Sequence, residues 1–249
     1  MHANTTDTAT RQRLTRPVGQ ANDPTVTAPT VLMPAGPSPT PQIRRAQPAD
    51  AHDLAALVAD ALHPLALSAW LVPDPVQRRR VFTDVAAIHV EHALTDGQAW
   101  ITSDRTAAAL WLPHDEGQPI RPDDYEQRLN AACGPTVERF RTLDQTSARS
   151  HAVEPHHQHL AVLAVHPDRR RHGLGKHVLV HQHLILDAAG VPACATATDP
   201  ASRALYLSLG YAYRRTPLDL PDGPKLWPMW RTPRAHRRSA PPTRPPAPR

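Results

Sequence analysis

Cysteine is almost missing from this chain: Cys133 and Cys194 are the only two in 249 residues. A pair so sparse excludes a disulfide scaffold and lacks the spacing of a thiolate metal site, so reduced, packed thiols in a cytoplasmic protein are expected. Aromatic residues are also few, at 4%, and the basic stretches have no interleaved rings on which nucleobases would stack. No apolar run reaches the length of a membrane span, and the N-terminus lacks the apolar core of a signal peptide. Lysine is confined to Lys176 and Lys225. The net charge of +5 and the pI near 9.8 therefore come from arginine. Much of it sits in the C-terminal tail and in a short cluster from Arg169 to Lys176. An arginine- and proline-rich end behaves as solvated chain, so neither a specific nucleic acid nor a membrane is expected as partner.

Proline, by contrast, is abundant. Residues 1–42 carry Pro17, Pro24, Pro29, Pro34, Pro37, Pro39 and Pro41 among threonine and alanine, without apolar periodicity. Such a segment buries too little surface to offset its ordering entropy, and a disordered tail is expected. Met33, inside it, offers a second translation start. Residues 232–249 repeat the composition with more arginine and receive the same reading. One folded domain is expected over 43–231, where 40% hydrophobic content in the whole chain permits a packed core.

Within that span strand and helix patterns alternate, which is the signature of an α/β domain. A short strand "IRRA" precedes a helix with Asp50 as N-cap and Leu54, Leu57, Val58 and Leu62 on one side. A second helix is expected from Pro75 to about Leu94. "QAWITS" and "TAAALWLP" read as a hairpin turning at Ser103-Asp104-Arg105. Residues 123–146 look helical with a break at Gly134-Pro135, and "HLAVLAV" is a strand apolar on both faces. A helix over 174–189, the strand "ACATAT", and a helix from Pro200 to its stop at Gly210 follow. "YAYRR" and "KLWPMWR" close the domain as strands.

The segment between the apolar strand and the helix at 174 is the most informative. Gly173 and Gly175 stand at a helix start among Arg169, Arg170, Arg171, His172 and Lys176. A helix N-terminus presents unpaired N–H groups and a partial positive charge, and glycine lets an anion reach that backbone. Phosphate is the natural guest. Each solvated basic side chain adds at most about 1 kcal/mol. On the helix, Leu174, Val178, Ile185 and Ala189 are expected to pack while Lys176, His183 and Asp187 face water. Two glycines also suit a plain tight connection, and taken alone they leave both readings open.

The wider register resolves them. "RRHGLG" runs from Arg170 to Gly175, Val165-His166-Pro167 closes the strand before it, and "LYLSLGY" follows, with Leu205 where an aromatic is usual. Together these motifs resemble the GCN5-related N-acetyltransferase (GNAT) superfamily, and within it the puromycin N-acetyltransferase-like enzymes that modify antibiotics and other small amines. The resemblance implies a single domain with a twisted mixed sheet whose two central strands splay apart around acetyl-CoA, the co-substrate. It implies that the backbone of Leu163, Ala164 and Val165 meets the pantetheine arm. Arg170 and the N–H groups of Arg171, His172, Gly173, Leu174, Gly175 and Lys176 would hold the pyrophosphate, Ser202 would hydrogen-bond the cofactor, and Tyr206 would protonate the departing thiolate.

A base is also required. Glu154 and His159 flank the opening of the central strand with His157, and histidine titrates near neutral pH. By alternation His159 shares a face with Ala161 and Leu163. His177 and His181 have zinc-like spacing without a third ligand, so no metal is assigned. The chain departs from the puromycin-type pattern at Gln158-His159, where an aromatic pair is usual, at Thr196 in place of Glu, and at Ser202 in place of Asn. The expected acceptor is a primary amine of a small molecule, taken by a monomer or homodimer. A non-catalytic acyl-CoA-binding module and a peptide or protein N-terminal acetyltransferase stand as alternatives.

Overall fold

The computed structural model describes residues 40–115, 118–119, 121–151 and 156–234. Apart from 40–42 and 232–234, both expected tails lie outside the described residues, and so does Glu154. In chain order the strands are β1 (Ile43–Arg45), β2 (Gln98–Thr102), β3 (Ala107–Asp115), β4 (Gln118–Pro119), β5 (His157–Val165), β6 (Ala193–Ala197), β7 (Ala212–Tyr213) and β8 (Trp227–Arg231). The helices are α1 (Ala51–Leu62), α2 (Ala66–Leu71), α3 (Pro75–Thr95), α4 (Tyr125–Cys133), α5 (Val137–His151), α6 (Leu174–Ala189) and α7 (Pro200–Ser208). The sheet runs β1-β2-β3-β5-β6-β8-β7, with β4 on β3. Every pairing is antiparallel except β5 with β6.

Two features of β5 shape everything downstream. Its parallel ladder to β6 covers only Gln158, His159 and Leu160. Beyond Leu160 the two strands part, and the β6-facing edge of residues 161–165 has no strand partner. On the other side, Trp111 pairs with Leu160 and Leu110 with Val162, so Ala161 is an extra residue, a β-bulge. The bulge overturns the simple alternation. His159 pairs with Leu112 on the α1/α3 face, where Ala161 also packs, whereas Leu163 pairs with Ala109 and packs on the opposite face.

Each face has its own core. Leu54 and Val58 of α1 and Val90 of α3 pack on Ile101, Leu110 and Ala164. Leu174, Val178 and Leu179 of α6 pack on Trp111, Leu160 and Met229. A third cluster joins Leu71 of α2 and Phe82 of α3 to Leu129 and Phe140.

Helix starts follow local chemistry. Asp74 accepts from the N–H groups of Val76 and Gln77, at 2.8 and 3.3 Å, ahead of Pro75. Asp199 does the same for Ala201 and Ser202, at 2.8 and 3.0 Å, ahead of Pro200. Asp50 does not cap α1. It closes a single 3-10 turn, accepts from the N–H of Gln47 at 2.8 Å and pairs with Arg44 at 2.7 Å. The guanidinium bonds hold its carboxyl far below the usual carboxylate range.

Two further expectations need correction. His183 and Asp187 do not face water: the packed side of α6 includes Gln182 and His183, while Leu184 and Ile185 are exposed. Buried polar groups sit there because they have partners. Trp100 Nε1 donates to Gln182 Oε1 at 2.7 Å, His183 Nε2 meets the Tyr211 hydroxyl at 3.0 Å, and Asp187 takes two bonds from Arg231, at 2.8 and 2.6 Å. The strand expected at "YAYRR" shrinks to Ala212–Tyr213, and α2 was not expected at all. No helix among the described residues is long and apolar enough to cross a membrane.

Candidate functional site

Where β5 and β6 part, three adjoining cavities open. The first, of about 480 Å³, is bordered by the loop from Arg169 to Lys176, by the end of α1 at Ala61 and Leu62, and by Leu163, Val165, Ser202 and Leu205. The loop reaches the helix through backbone that turns left-handed at Arg171 (φ 67°) and Gly173 (φ 79°). Helix bonding begins with the His177 N–H on the Gly173 carbonyl at 2.9 Å, which leaves the N–H groups of Leu174, Gly175 and Lys176 ahead of the ladder. A Cβ on Gly175 would stand 3.5 to 3.6 Å from Val165, Leu163 and Leu205, so anything beyond alanine would intrude between helix and strand.

The basic side chains of this loop divide in role. Arg171, His172 and Lys176 are exposed. Arg170 is turned inward, and its Nη2 donates to the Ala61 carbonyl at 2.6 Å, fastening the loop to the C-terminal turn of α1. The backbone carbonyl of Arg170 is in turn 2.8 Å from His172 Nδ1. Ser202 is committed to its own helix: its hydroxyl donates to Asp199 at 2.9 Å and accepts from the Thr198 and Asp199 N–H groups at 3.3 Å. It nonetheless lines both the first and second cavities.

The second cavity, of about 250 Å³, holds Tyr206 at its wall. Tyr206 is 5% exposed, and its hydroxyl makes no hydrogen bond among the described residues. Burial first, and the Asp199 carboxylate second, raise its pKa above that of a free tyrosine. Its ring lies 5.4 Å from that of Tyr211, which His183 supports from behind. Burial lowers His183 to about 4, so that imidazole stays neutral. The remaining lining is mixed: Leu71, Phe82, Val85 and Phe140 are apolar, whereas His89, Tyr125, Asp144 and Asp199 bring polar groups.

The third cavity, of about 230 Å³, is rich in imidazole and shares half of its lining, Tyr125 and Asp144 included, with the second. His89 and His92 of α3, His114 of β3 and His159 of β5 line it. Burial pushes the pKa of both His89 and His92 down. The His114 ring is 5.1 Å from the rings of both His157 and His159. Among the described residues one carboxylate lines this cavity, Asp144 of α5, which accepts from the Tyr125 hydroxyl at 2.8 Å and faces Arg121 at 3.2 Å. Arg121 in turn stacks 4.5 Å above the Tyr125 ring.

The residues named from sequence therefore divide by cavity. Val165, Arg170, Arg171, Gly173, Leu174, Gly175 and Lys176 border the first, Leu163 and Ser202 the first and second, Tyr206 the second, and His159 the third. Ala164 is wholly buried in the α1/α3 core, and only its backbone can take part. His157 is also fully buried, against Trp230. Sequence reasoning missed Arg121, Tyr125, Asp144, His89, His92 and His114. Only His89 and His92, three apart on one helical face, left a linear signal.

No family model matches the chain. Its fold nevertheless matches solved acetyltransferases. A Corynebacterium glutamicum protein described as histone acetyltransferase HPA2 and related acetyltransferase superposes at a TM-score of 0.59 and 19% identity, covering 78% of this chain and 97% of its own. Arylalkylamine N-acetyltransferase 2 from Aedes aegypti gives 0.53 and 14%, covering 78% and 99%. The polyamine N-acetyltransferase of Drosophila melanogaster gives 0.54 and 16%, covering 77% and 99%. The chain has the GNAT-type acetyltransferase fold.

Proposed function

We propose that this protein is an acetyl-CoA-dependent N-acetyltransferase that modifies the primary amine of a small molecule by direct attack. The observation that carries the reading is the continuous cleft from the glycine loop, through the opened β5–β6 ladder, to Tyr206 and the imidazole-lined cavity. The residues present suit the co-substrate: the loop offers helix N-terminal N–H groups and exposed cations for a pyrophosphate, and the free edge of β5 suits the amides of a pantetheine arm. When bound, acetyl-CoA supplies the thioester carbonyl.

The chain's own groups then have distinct tasks. His159, on the wall of the imidazole-lined cavity, takes the proton that the acceptor's ammonium must lose, with Glu154 as the second candidate. Ala161, paired in neither ladder, offers its backbone N–H to the carbonyl oxygen as negative charge develops. Tyr206 enters as a protonated hydroxyl because burial raises its pKa. The same desolvation makes a departing thiolate more basic, and the hydroxyl is placed to supply its proton.

Small-amine acetylation is also the activity in the descriptions of the Aedes and Drosophila neighbours and of an agmatine N-acetyltransferase. Among such amines we place an aminonucleoside-type antibiotic or metabolite, on the strength of the motifs shared with puromycin-type enzymes. The test is thiol release from acetyl-CoA against aminonucleosides, arylalkylamines, polyamines and amino acids, run beside calorimetric CoA binding. Release with one amine class supports the reading. CoA binding without release from any amine would instead favour a non-catalytic acyl-CoA-binding module, for which Thr196, replacing a carboxylate on the acceptor wall, already speaks.

A further inference from the structure

The second cavity is larger than an acetyl group requires. Its volume of about 250 Å³ equals roughly eight water-sized volumes at about 30 Å³ each, whereas native interiors are close-packed. Its far wall is built from Leu71 of α2, Phe82 and Val85 of α3, and Phe140 of α5. These side chains belong to the third core cluster, which otherwise packs tightly, with the Phe82 and Phe140 rings 5.9 Å apart. Polar groups, among them His89, Tyr125 and Asp144, line another part of the same cavity, but these four side chains offer only apolar surface.

Continuity decides which ligand the volume serves. The apolar cavity shares Leu62, Leu65, Leu163, Asp199 and Ser202 with the loop cavity. The imidazole-lined cavity shares none of its described lining with the loop cavity. The apolar cavity also shares nine lining residues with the imidazole-lined one, so those two are contiguous, and a chain entering from the loop side meets the space beside Tyr206 first. Tyr206 marks where the sulfur must sit if it is to receive the hydroxyl proton, and Tyr206 lines the apolar cavity and not the imidazole-lined one. An acyl chain continuing from that carbonyl runs toward Phe82 and Val85.

Resting on the transferase reading above, we infer that the donor site admits acyl groups longer than acetyl, and that short linear acyl chains seat in the cavity between α1, α2, α3 and α5. The bond changes are those of acetyl transfer: the base takes the ammonium proton, the amine nitrogen bonds to the carbonyl carbon, the carbon–sulfur bond breaks, the thiolate takes the Tyr206 hydroxyl proton, and the second proton shed by the nitrogen as the amide forms restores that hydroxyl.

The first test needs no acceptor: calorimetric titration of the full chain with CoA and with acetyl-, butyryl- and hexanoyl-CoA. Burying two methylenes predicts an affinity gain of about tenfold from acetyl to butyryl, and a further gain to hexanoyl. The same series on Val85→Phe, which fills the far wall, should flatten that gradient, so that the hexanoyl-to-acetyl affinity ratio falls at least about tenfold. Affinity that is level or falls from acetyl to hexanoyl in the wild-type chain overturns the inference and leaves the transferase reading standing. Failure of every CoA ester to bind overturns the transferase reading itself, and this inference with it. Should Val85→Phe fold poorly, the wild-type gradient alone decides.

Discussion

The two ends of the cleft are built in opposite ways. At the loop end one continuous segment, Val165 to Lys176, supplies about half of the cavity's lining together with the N–H groups of a helix start. At the other end the wall is assembled from side chains on α3, β3, α5, β5 and β6, separated by more than a hundred residues of chain. A site made of local backbone can persist while its side chains vary, because it depends on a turn and a helix start. A site made of distant side chains depends on the whole fold and can be rebuilt one residue at a time. On the transferase reading proposed above, the donor end is therefore the constant part of such a molecule and the acceptor end the adjustable one.

That contrast can be broken by an injury common to both ends. Asp187 and Arg231 form a buried pair, 9% and 3% exposed, that fastens α6 to β8 behind the cleft. Replacing Asp187 with alanine leaves the guanidinium uncompensated and should cost about 3–5 kcal/mol in denaturant unfolding, impairing donor and acceptor binding together. Burial pushes the Asp187 carboxyl up, but the hydrogen bonds from Arg231 and from the Arg234 N–H outweigh it and hold its pKa below the ordinary value. The stability it adds is thus fully present above about pH 4 and is lost as pH falls through the depressed folded value. An acid unfolding titration in which Asp187→Asn shows the same low-pH loss as wild type would contradict this.

The remaining substitutions sharpen the comparison. Tyr206→Phe removes only the hydroxyl and should lower kcat about a hundredfold while leaving the Kd for CoA near its wild-type value. Unchanged turnover would strip Tyr206 of its assigned part. At Gly173 a Cβ would meet nothing within 4 Å, yet φ is 79°. Gly173→Val therefore acts through backbone strain alone, about 1–2 kcal/mol, and should weaken CoA binding about tenfold without altering the acceptor KM. Asp144→Asn is its counterpart at the other end. It loses a half-exposed ion pair worth about 1 kcal/mol and should raise the KM for a cationic amine about fivefold, with the CoA Kd unmoved. Isothermal titration beside initial-rate kinetics distinguishes the two outcomes.

The same contrast explains what was legible in the sequence. Gly173 and Gly175 among arginines stand out because turn geometry and helix ends are written in adjacent residues, and Pro200 with Gly210 marked α7 for the same reason. The face of His159 was misread relative to Leu163 because a single extra residue at Ala161 shifts the pleat, and no local composition announces it. His183 and Asp187 were expected in water because their partners, Tyr211 and Arg231, come from strands and loops far along the chain. Asp144 was invisible for the same cause: its neighbours Tyr125 and Arg121 lie about twenty residues away across a helix break.

The bond from Arg170 to the Ala61 carbonyl has a consequence for timing. It ties the loop to the last turn of α1, and that turn carries Leu62 at the boundary between the loop cavity and the apolar one. Settling a pyrophosphate on the loop therefore also sets the partition behind which the amine must dock. Turnover should follow a compulsory sequence, donor first and amine second, with free CoA competing against the donor alone in product-inhibition kinetics; in Arg170→Ala that order should relax toward random.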